Sequence, residues 1–208
     1  METPQESSPW KLMYQRWQQE KYLLLPGLCA ILNGYWHKLK FKLLLKDVTI
    51  GKVFRVYGRM MIRGPGAVRI GDNCYVDGLT NGHVCLSASV PGAEIRVGDN
   101  CGFNGTVIQC FKQVSIGDWS NIADAYITDT PAHATGKNRR QLSASQTPAF
   151  PVRIGRNVWV STRVVILHGV TIGENCVIAA CTLVRKDVPP DVMVAGNPQK
   201  VVKVLIDE

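Results

Sequence analysis

Residues 154–178 read IGRNVWVSTRVVILHGVTIGENCVI. An aliphatic residue occupies every sixth position of this stretch, and the period continues beyond it; the positions are Ile154, Val160, Ile166, Ile172, Ile178 and Val184. An amphipathic helix would place apolar residues three and four apart, and a half-buried strand would alternate them. A strict period of six predicts a parallel β-helix, in which each hexapeptide supplies one short strand and one tight turn.

The same phrase, an aliphatic residue followed by glycine, recurs in the first half of the chain. It occurs at Ile50-Gly51, Ile70-Gly71, Val97-Gly98 and Ile116-Gly117. Glycine allows the chain to turn sharply after the inward-facing aliphatic side chain. A single coil cannot bury its apolar face alone, so neighbouring coils must stack. We therefore expect an all-β protein with its β-helix over residues 47–208.

The period is interrupted at two places. Ile70 and Val97 are 27 residues apart, and the segment 78–92 between them is rich in Gly, Ser, Asn and Pro, which predicts an insertion there. The period is also lost after Ile127 and resumes at Ile154. Residues 128–151 are therefore predicted to form a loop that leaves the scaffold, and such loops often carry function.

Length and cysteine usage limit the class of protein. A chain of 208 residues fits one main domain with a small N-terminal attachment. Cys74, Cys101 and Cys176 share the same small-residue position of the repeat, so we expect buried thiols, not disulfides, and a reducing, cytoplasmic compartment. The polar start of the chain lacks a basic region, so no cleavable signal peptide is expected.

The N-terminal segment, residues 1–46, differs from the rest of the chain. Residues 10–46 carry seven of the Lys and Arg residues but only one Glu, in a chain of net charge +8. Ser8-Pro9 predicts a helix start, and Pro26-Gly27 predicts a break between two apolar helical faces. Two interpretations remain open: a cap on the end of the β-helix, or a peripheral anchor at the inner face of the membrane. The apolar run is too short to span a bilayer, and no nucleic-acid-binding motif occurs.

The chain has four histidines that could take part in chemistry. His37 lies among lysines and is expected on a solvated helix face, whereas His168 is expected in a surface turn. His83 lies in the segment predicted as an insertion and is a candidate contact to an acceptor substrate. His133 lies in the predicted loop, four residues after Asp129.

Longer motifs in the second half of the chain carry a resemblance. They are Arg139-Arg140 after the loop histidine, Pro151–Val160, Gly169–Gly173, Lys186-Asp187-Val188-Pro189 and the closing Ala195-Gly196-Asn197-Pro198. Over residues 116–203 the chain resembles the maltose/galactoside O-acetyltransferase branch of the hexapeptide-repeat, left-handed β-helix acyltransferases. The resemblance implies a left-handed parallel β-helix with three hexapeptides per triangular coil.

The resemblance also implies a reaction, the transfer of an acetyl group from acetyl-coenzyme A to a sugar hydroxyl with His133 as general base. Neutral imidazole, which titrates near pH 6.5, suits the removal of a hydroxyl proton at cytoplasmic pH. The family's acceptor-binding Asn matches Asn104. Its acidic partner is absent, since Gln109 and Cys110 occupy that region, and this departure bears on the identity of the sugar.

Coenzyme A is implied to lie in a groove between the subunits of a homotrimer, with no metal ion. By resemblance, the residues that contact it are Trp159, Thr162, Ala180, Arg185, Lys186, Lys200 and Lys203. Basic side chains suit a polyanionic ligand. The basic, aromatic N-terminal segment favours an acceptor among surface-polysaccharide or lipid-linked glycan intermediates.

Three alternatives remain open. The acceptor could be an antibiotic hydroxyl or an amino sugar, because related acetyltransferases share the loop histidine. The protein could instead be a non-catalytic scaffold built on the same repeats. A γ-class carbonic anhydrase shares the prism but needs three metal-binding histidines, and no short-spaced histidine pair follows His133.

Overall fold

The computed structural model describes residues 9–80, 82–134, 136–137, 139–141 and 147–206, with helix side chains described from Leu25 onward. The predicted cap Ser8 and the side chains of Trp10 and Trp17 therefore lie outside the described residues. The described chain forms an N-terminal helix and then strands that coil about one axis, three strands to a coil.

The elements follow in chain order, one coil after another. They are α1 (Pro9–Leu43); β1 (Val48–Ile50), β2 (Phe54–Gly58) and β3 (Met60–Arg63); β4 (Ala67–Ile70), β5 (Cys74–Gly78) and β6 (Val84–Ala88); β7 (Glu94–Val97), β8 (Gly102–Asn104) and β9 (Val107–Cys110); β10 (Gln113–Ile116), β11 (Asn121–Ala123) and β12 (Tyr126–Thr128); β13 (Val152–Ile154), β14 (Trp159–Val160) and β15 (Val165–Ile166); β16 (Thr171–Ile172), β17 (Val177–Ile178) and β18 (Leu183–Val184); and finally β19 (Val192–Ala195) and β20 (Lys200–Val204).

Each strand pairs with its counterpart in the next coil, so the coils stack as a three-sided prism. Sheet A consists of β1, β4, β7, β10, β13 and β16, and sheet C of β3, β6, β9, β12, β15 and β18. Sheet B consists of β2, β5, β8, β11, β14, β17, β19 and β20. The ladders are parallel except between β19 and β20, which form an antiparallel hairpin. The predicted parallel β-helix with a helical N-terminal segment and a protruding loop is confirmed.

The aliphatic residues of the six-residue period fill the interior of the prism. Ile154, Val160, Ile166 and Ile172 are each at most 3% exposed. Burying such a side chain contributes about 1.5–3 kcal/mol, so the repeat itself supplies most of the driving force for stacking. Cys74, Cys101 and Cys176 are also buried, as the sequence predicted, and the described cysteines are free thiols.

Asparagine forms most turns at the corner between sheets A and B. Asn73, Asn100, Asn157 and Asn175 have φ of 54–59°, a left-handed conformation that asparagine tolerates. Their side-chain amides bond from one coil to the next, at 2.8 Å for Asn73 to Asn100 and 3.0 Å for Asn157 to Asn175. Trp119 takes this corner in the fourth coil with a φ of 63°, so the amide ladder is interrupted there.

Segment 78–92, predicted as an insertion, contains a full strand of the prism. β6 pairs in parallel with β3 on one side and β9 on the other, and Val84, Leu86 and Ala88 are fully buried. The surplus residues are thus confined to the turns at 79–83 and 89–93. The alternation of inward-facing residues Val84, Leu86 and Ala88 is hard to recognise in the sequence because Gly- and Ser-rich turns flank it on both sides.

The predicted break at Pro26-Gly27 is wrong, because α1 continues through both residues. Proline removes one N–H donor and strains the preceding turn, but it does not by itself end a helix that is packed against other elements. α1 packs on β2, where a Cβ added at Gly34 would overlap the carbonyl oxygen of Phe54. The Asn33 amide donates to the Val56 carbonyl at 3.0 Å.

One face of α1 is buried against the prism and the opposite face is not. Ala30 and Phe41 are buried, and so is His37, so the predicted solvated position of His37 is wrong. Leu28 and Leu32, on the other face, are exposed. In the described part of the chain, no helical stretch has the length and apolar character needed to cross a bilayer.

Candidate active site

Asn104 ends β8 at the corner between sheets B and C. In register it lies between Asp77 on β5 and Ala123 on β11. Its side-chain oxygen is buried and has no hydrogen-bond partner among the described residues. An unsatisfied buried acceptor costs about 1–3 kcal/mol, and a donor hydroxyl from a ligand would remove that cost.

The same corner continues into the residues predicted to contact coenzyme A. Asp124 lies one coil beyond Asn104, and its backbone N–H donates to the Asn104 carbonyl. Its carboxylate accepts a hydrogen bond from the Thr162 hydroxyl at 2.9 Å. The Thr162 carbonyl accepts in turn from the backbone of Cys181, next to Ala180, at 3.0 Å. The fold thus aligns Asn104, Thr162 and Ala180 along one edge of the prism.

Sequence reasoning missed both carboxylates that flank Asn104. Asp77 is one coil before it and Asp124 one coil after, although Gln109 and Cys110 occupy the position where an acidic residue was sought. Asp77 caps its own turn, accepting from the Leu79 backbone at 2.8 Å. Counting the register from one coil to the next could have revealed both carboxylates, because residues one coil apart meet at the same corner.

His133 is exposed in the long loop, which lies between β12 and β13. Its backbone N–H donates to the Pro131 carbonyl at 2.7 Å, and Ala132 has a φ of 61°. The Thr130 hydroxyl accepts from the Ala132 backbone at 3.1 Å. These contacts form a tight turn that holds the backbone of His133 close to the loop base.

The base of the loop is fixed by Asp129, whose side chain is fully buried. Its carboxylate accepts three backbone N–H groups at the turn from β9 into β10, those of Phe111 at 2.8 Å, Lys112 at 2.6 Å and Gln113 at 2.8 Å. Its carbonyl accepts from Phe150 at 2.7 Å, at the other end of the loop. One buried residue therefore joins both ends of the loop to the prism.

The thiol of Cys110 also contacts this carboxylate, at 3.5 Å. Burial, together with the nearby charge of Asp129, raises the pKa of the Cys110 thiol to about 12. The thiol is therefore protonated at neutral pH and is not a nucleophile.

Asn104 and the loop base lie at opposite edges of sheet C. Asp124 precedes β12 at the corner that holds Asn104, and Thr128 ends β12 at the corner that holds the base of the loop. Four extended residues span about 13 Å at about 3.3 Å per residue. Within one chain, the strands alone do not bring the base of the His133 loop to Asn104.

Trp159 projects from sheet B and is 54% exposed, while its neighbour Val160 points into the core. Val177, Met193 and Lys203 follow it in register on the next strands. Trp159 and Lys203 are thus three strand spacings apart, about 14 Å. Trp159 also lines a cavity of about 330 Å³ together with Asn157, Asn175, Asp191 and the C-terminal Leu205.

The other predicted cofactor residues meet at the C-terminal end of the prism. The backbone N–H groups of Arg185 and Lys186 donate to the side-chain oxygen of Gln199, at 2.7 and 3.1 Å. Gln199 precedes Lys200, the first residue of β20, and the side chains of all three basic residues are exposed. A glutamine that sequence reasoning missed thus draws two basic segments together.

His83 lies at the same corner as Asn104 but one coil nearer the N-terminal end of the prism, in the turn between β5 and β6. It is exposed just before β6 and lines a cavity of about 350 Å³ between the first coils and α1, together with His37 and Arg59. His168 is partly buried in its turn, 5.5 Å from the ring of Phe150. No cluster of metal-ligating side chains occurs among the described residues.

Comparison with known proteins agrees with this architecture. Residues 151–186, which contain β13 to β18, match the bacterial transferase hexapeptide family of six repeats. The galactoside O-acetyltransferase of Escherichia coli K12 is 38% identical over 118 residues, which are 56% of this chain and 57% of that protein. The chain thus aligns with little more than half of that curated relative.

Solved structures extend the likeness over more of the chain. A maltose O-acetyltransferase from Clostridium difficile 630 superposes with a TM-score of 0.50 and 26% identity, covering 80% of this chain and 74% of that one. A hexapeptide-repeat acetyltransferase of Vibrio cholerae, solved with acetyl-coenzyme A, has a TM-score of 0.55 and 24% identity, covering 99% and 94%. The second likeness is one of fold.

Proposed function

We propose that this hexapeptide-repeat protein, similar in sequence and fold to galactoside and maltose O-acetyltransferases, transfers an acetyl group from coenzyme A to a hydroxyl of a sugar or glycan. The observation that carries the proposal is the single corner shared by Asn104, Thr162 and Ala180. An acceptor bound at Asn104 would lie beside the residues assigned to the acyl donor.

His133 acts as the general base in this proposal. The imidazole takes the proton of the acceptor hydroxyl as its oxygen attacks the thioester carbonyl. The C–O bond forms, the C–S bond breaks, and the coenzyme A thiolate takes the proton back from the imidazolium. A thioester is already activated, so the step requires no metal ion and no acyl-enzyme.

The coenzyme A path follows the exposed side chains. Thr162 and Ala180 lie beside the pantetheine arm at the corner, and Trp159 lies on the adjacent face of sheet B. The basic side chains at the C-terminal end, Lys186, Lys200 and Lys203 with Arg185, meet the phosphates. Their exposure and the tie through Gln199 support this assignment, since a polyanion needs several cations within reach of one ligand.

We propose a homotrimer that completes the site. The separation of about 13 Å between the Asn104 edge and the loop base favours a His133 that reaches the Asn104 edge of a neighbouring chain. β20 supports the assembly as well. All of its residues are exposed, and its row of Val201, Val202 and Val204 has no cover within the described chain.

The acceptor is proposed to be a sugar with several hydroxyls. The Asn104 amide oxygen, flanked by Asp77 and Asp124, offers acceptors for sugar hydroxyl donors, and His83 remains a proposed acceptor contact. The expected cytoplasmic location and a glycan acceptor near the membrane belong to the same proposal. The exposed apolar face of α1, with Leu28 and Leu32, supports its membrane part.

Thiol release from acetyl-coenzyme A with a panel of sugars and glycan intermediates tests the proposal. Loss of a general base costs about 10²–10⁴-fold, so His133→Gln should lower kcat by that factor on one acceptor class while coenzyme A still binds. His168→Gln, in the turn between β15 and β16 beside Phe150, is the matched control and should retain activity.

Two other results would contradict the proposal. A chain that does not bind coenzyme A would support the non-catalytic scaffold. Equal loss in both histidine variants would remove His133 from its role and point to a disturbed loop.

A further inference from the structure

A second cavity lies where α1 meets the first two coils, at the same corner between sheets B and C as Asn104 but toward the N-terminal end of the prism. Its volume is about 350 Å³, and α1 supplies Trp36, His37 and Lys40 to its wall. The strand side supplies Arg59, next to Met60, and His83 from the turn before β6. The acyl transfer proposed above uses none of these residues except His83.

The lining is cationic. Lys40, Arg59 and His83 are exposed, and the described lining contains no carboxylate. Neither the Lys40 ammonium nor the Arg59 guanidinium forms an ion pair within the described chain, where the ion pairs are Arg69–Asp47 and Arg96–Glu94. Two basic side chains thus face one cavity, and neither has an ion-pair partner among the described residues.

His37 is the second, independent sign of a ligand. It is only 7% exposed, and its Nδ1 is buried without a hydrogen-bond partner among the described residues. The ring also packs near Phe41, at 5.6 Å between centroids. A buried ring nitrogen without a partner costs about 1–3 kcal/mol, and an anionic oxygen that enters the cavity would relieve that cost.

The electrostatics of His37 also fit a site for an anion. Burial, and secondarily the charge of Lys40, lower the pKa of the imidazole. Neutral imidazole still has one N–H to donate to an anion held beside Lys40.

We propose that this cavity binds a phosphate-bearing anion, held by the Arg59 guanidinium and Lys40 with the imidazoles of His37 and His83. A guanidinium can donate two parallel hydrogen bonds to phosphate oxygens, and an ammonium adds a point charge. The inference goes beyond acyl transfer and does not depend on it.

The phosphate has two possible sources, a soluble phosphate compound or a lipid headgroup. Trp36 lines the cavity and also belongs to the exposed apolar face of α1, where it is 57% exposed. Leu32 and Leu39 continue that face along the helix, and a lipid chain attached to a phosphate in the cavity could lie against them. Lys40, at the boundary of the face, suits an anionic lipid surface.

Calorimetric titration of the full chain with inorganic phosphate, at constant ionic strength, is the first test. Saturable binding is expected, weakened at least tenfold by Arg59→Gln or Lys40→Gln. Arg153→Gln removes the same charge from sheet A and should have no effect. Lys203→Gln tests whether the phosphate instead occupies the proposed coenzyme A path. The His37 imidazole resonances should shift during the titration.

Flotation with phosphatidylcholine vesicles, with and without phosphatidic acid, distinguishes the two sources. Binding only to the phosphatidic acid vesicles, lost in Arg59→Gln but retained in Arg153→Gln, would identify a headgroup. Saturable inorganic phosphate binding without flotation would identify a soluble phosphate compound. Absence of both, or equal loss in Arg59→Gln and Arg153→Gln, would overturn the proposal whether or not the chain transfers acyl groups.

Discussion

Replacing Asp129 with asparagine should loosen the loop of His133 while leaving the volume of the core unchanged. The carboxylate accepts three backbone N–H groups, one on Oδ1 and two on Oδ2. An amide keeps one oxygen and turns the other into a donor, so at least one buried N–H loses its acceptor and faces an NH₂ group.

The magnitude follows from these contacts. One orphaned buried donor costs about 1–3 kcal/mol. The remaining bonds lose their charge assistance, and neutral hydrogen bonds are roughly half as strong as charged ones. Together we expect Asp129→Asn to lower the free energy of unfolding by about 2–5 kcal/mol, a large part of the ~5–15 kcal/mol of a typical domain.

Asp187→Asn is the matched control. Asp187 is exposed, and its carboxylate accepts the backbone N–H of Thr171 at 2.8 Å. Water can replace that contact, so we expect a loss of about 1 kcal/mol or less.

Urea unfolding of both variants measures the difference, and hydrogen exchange at residues 111–113 locates it. Thiol release should fall in Asp129→Asn beyond what the unfolded fraction explains, because the loop base no longer fixes His133. If Asp129→Asn and Asp187→Asn lose equal stability, or if exchange at 111–113 does not change, the buried carboxylate does not anchor the loop.

Two further predictions concern α1. Gly34→Ala should undock the helix, because the new Cβ overlaps the Phe54 carbonyl. At Gly27 a new Cβ meets no atom within 4 Å, so Gly27→Ala should be neutral or stabilise the protein by up to about 1 kcal/mol. Trp fluorescence during thermal unfolding measures the stability of both variants, and equal stabilities would contradict the described packing of α1 on β2. Because the pKa of His37 is lowered in the folded state, the unfolded chain binds a proton more readily, so the free energy of unfolding should fall as the pH drops through about 6.5. In His37→Phe the free energy of unfolding should depend less on pH in this range. An unchanged pH dependence would exclude His37 as its source.

The repeat predicted the strands that carry it. Ile154 and Ile172 are core residues because an inward-facing aliphatic position recurs every six residues, and that pattern is visible in any one sequence. β6 was not predicted because its alternation, Val84, Leu86 and Ala88, is short and lies between Gly- and Ser-rich turns. The predicted break at Pro26 does not occur because local propensity ignores the packing of α1 on β2.

The candidate site was less accessible to sequence reasoning. His133 could be chosen because a resemblance singled out its loop, but that role remains a prediction. Asp129 could be seen as a neighbour of the histidine, yet its role depends on three N–H groups 16–18 residues earlier in sequence. The burial of His37 follows from the angle at which α1 docks, which no local pattern encodes.

The stacking of coils also determines how the protein should come apart. Each coil forms backbone hydrogen bonds only with the coil before it and the coil after it, so local unfolding should start at one end of the prism and proceed coil by coil toward the middle. α1 packs over the first coil, at the N-terminal end of the prism. The β19–β20 hairpin, whose last strand is fully exposed, forms the C-terminal end. Asp124 and Asp129 lie in the fourth coil, far from both ends. Fraying at the C-terminal end would therefore release the proposed phosphate contacts of coenzyme A while the acceptor corner and the loop base stay intact, so cofactor retention should fail before acceptor recognition as the protein is warmed.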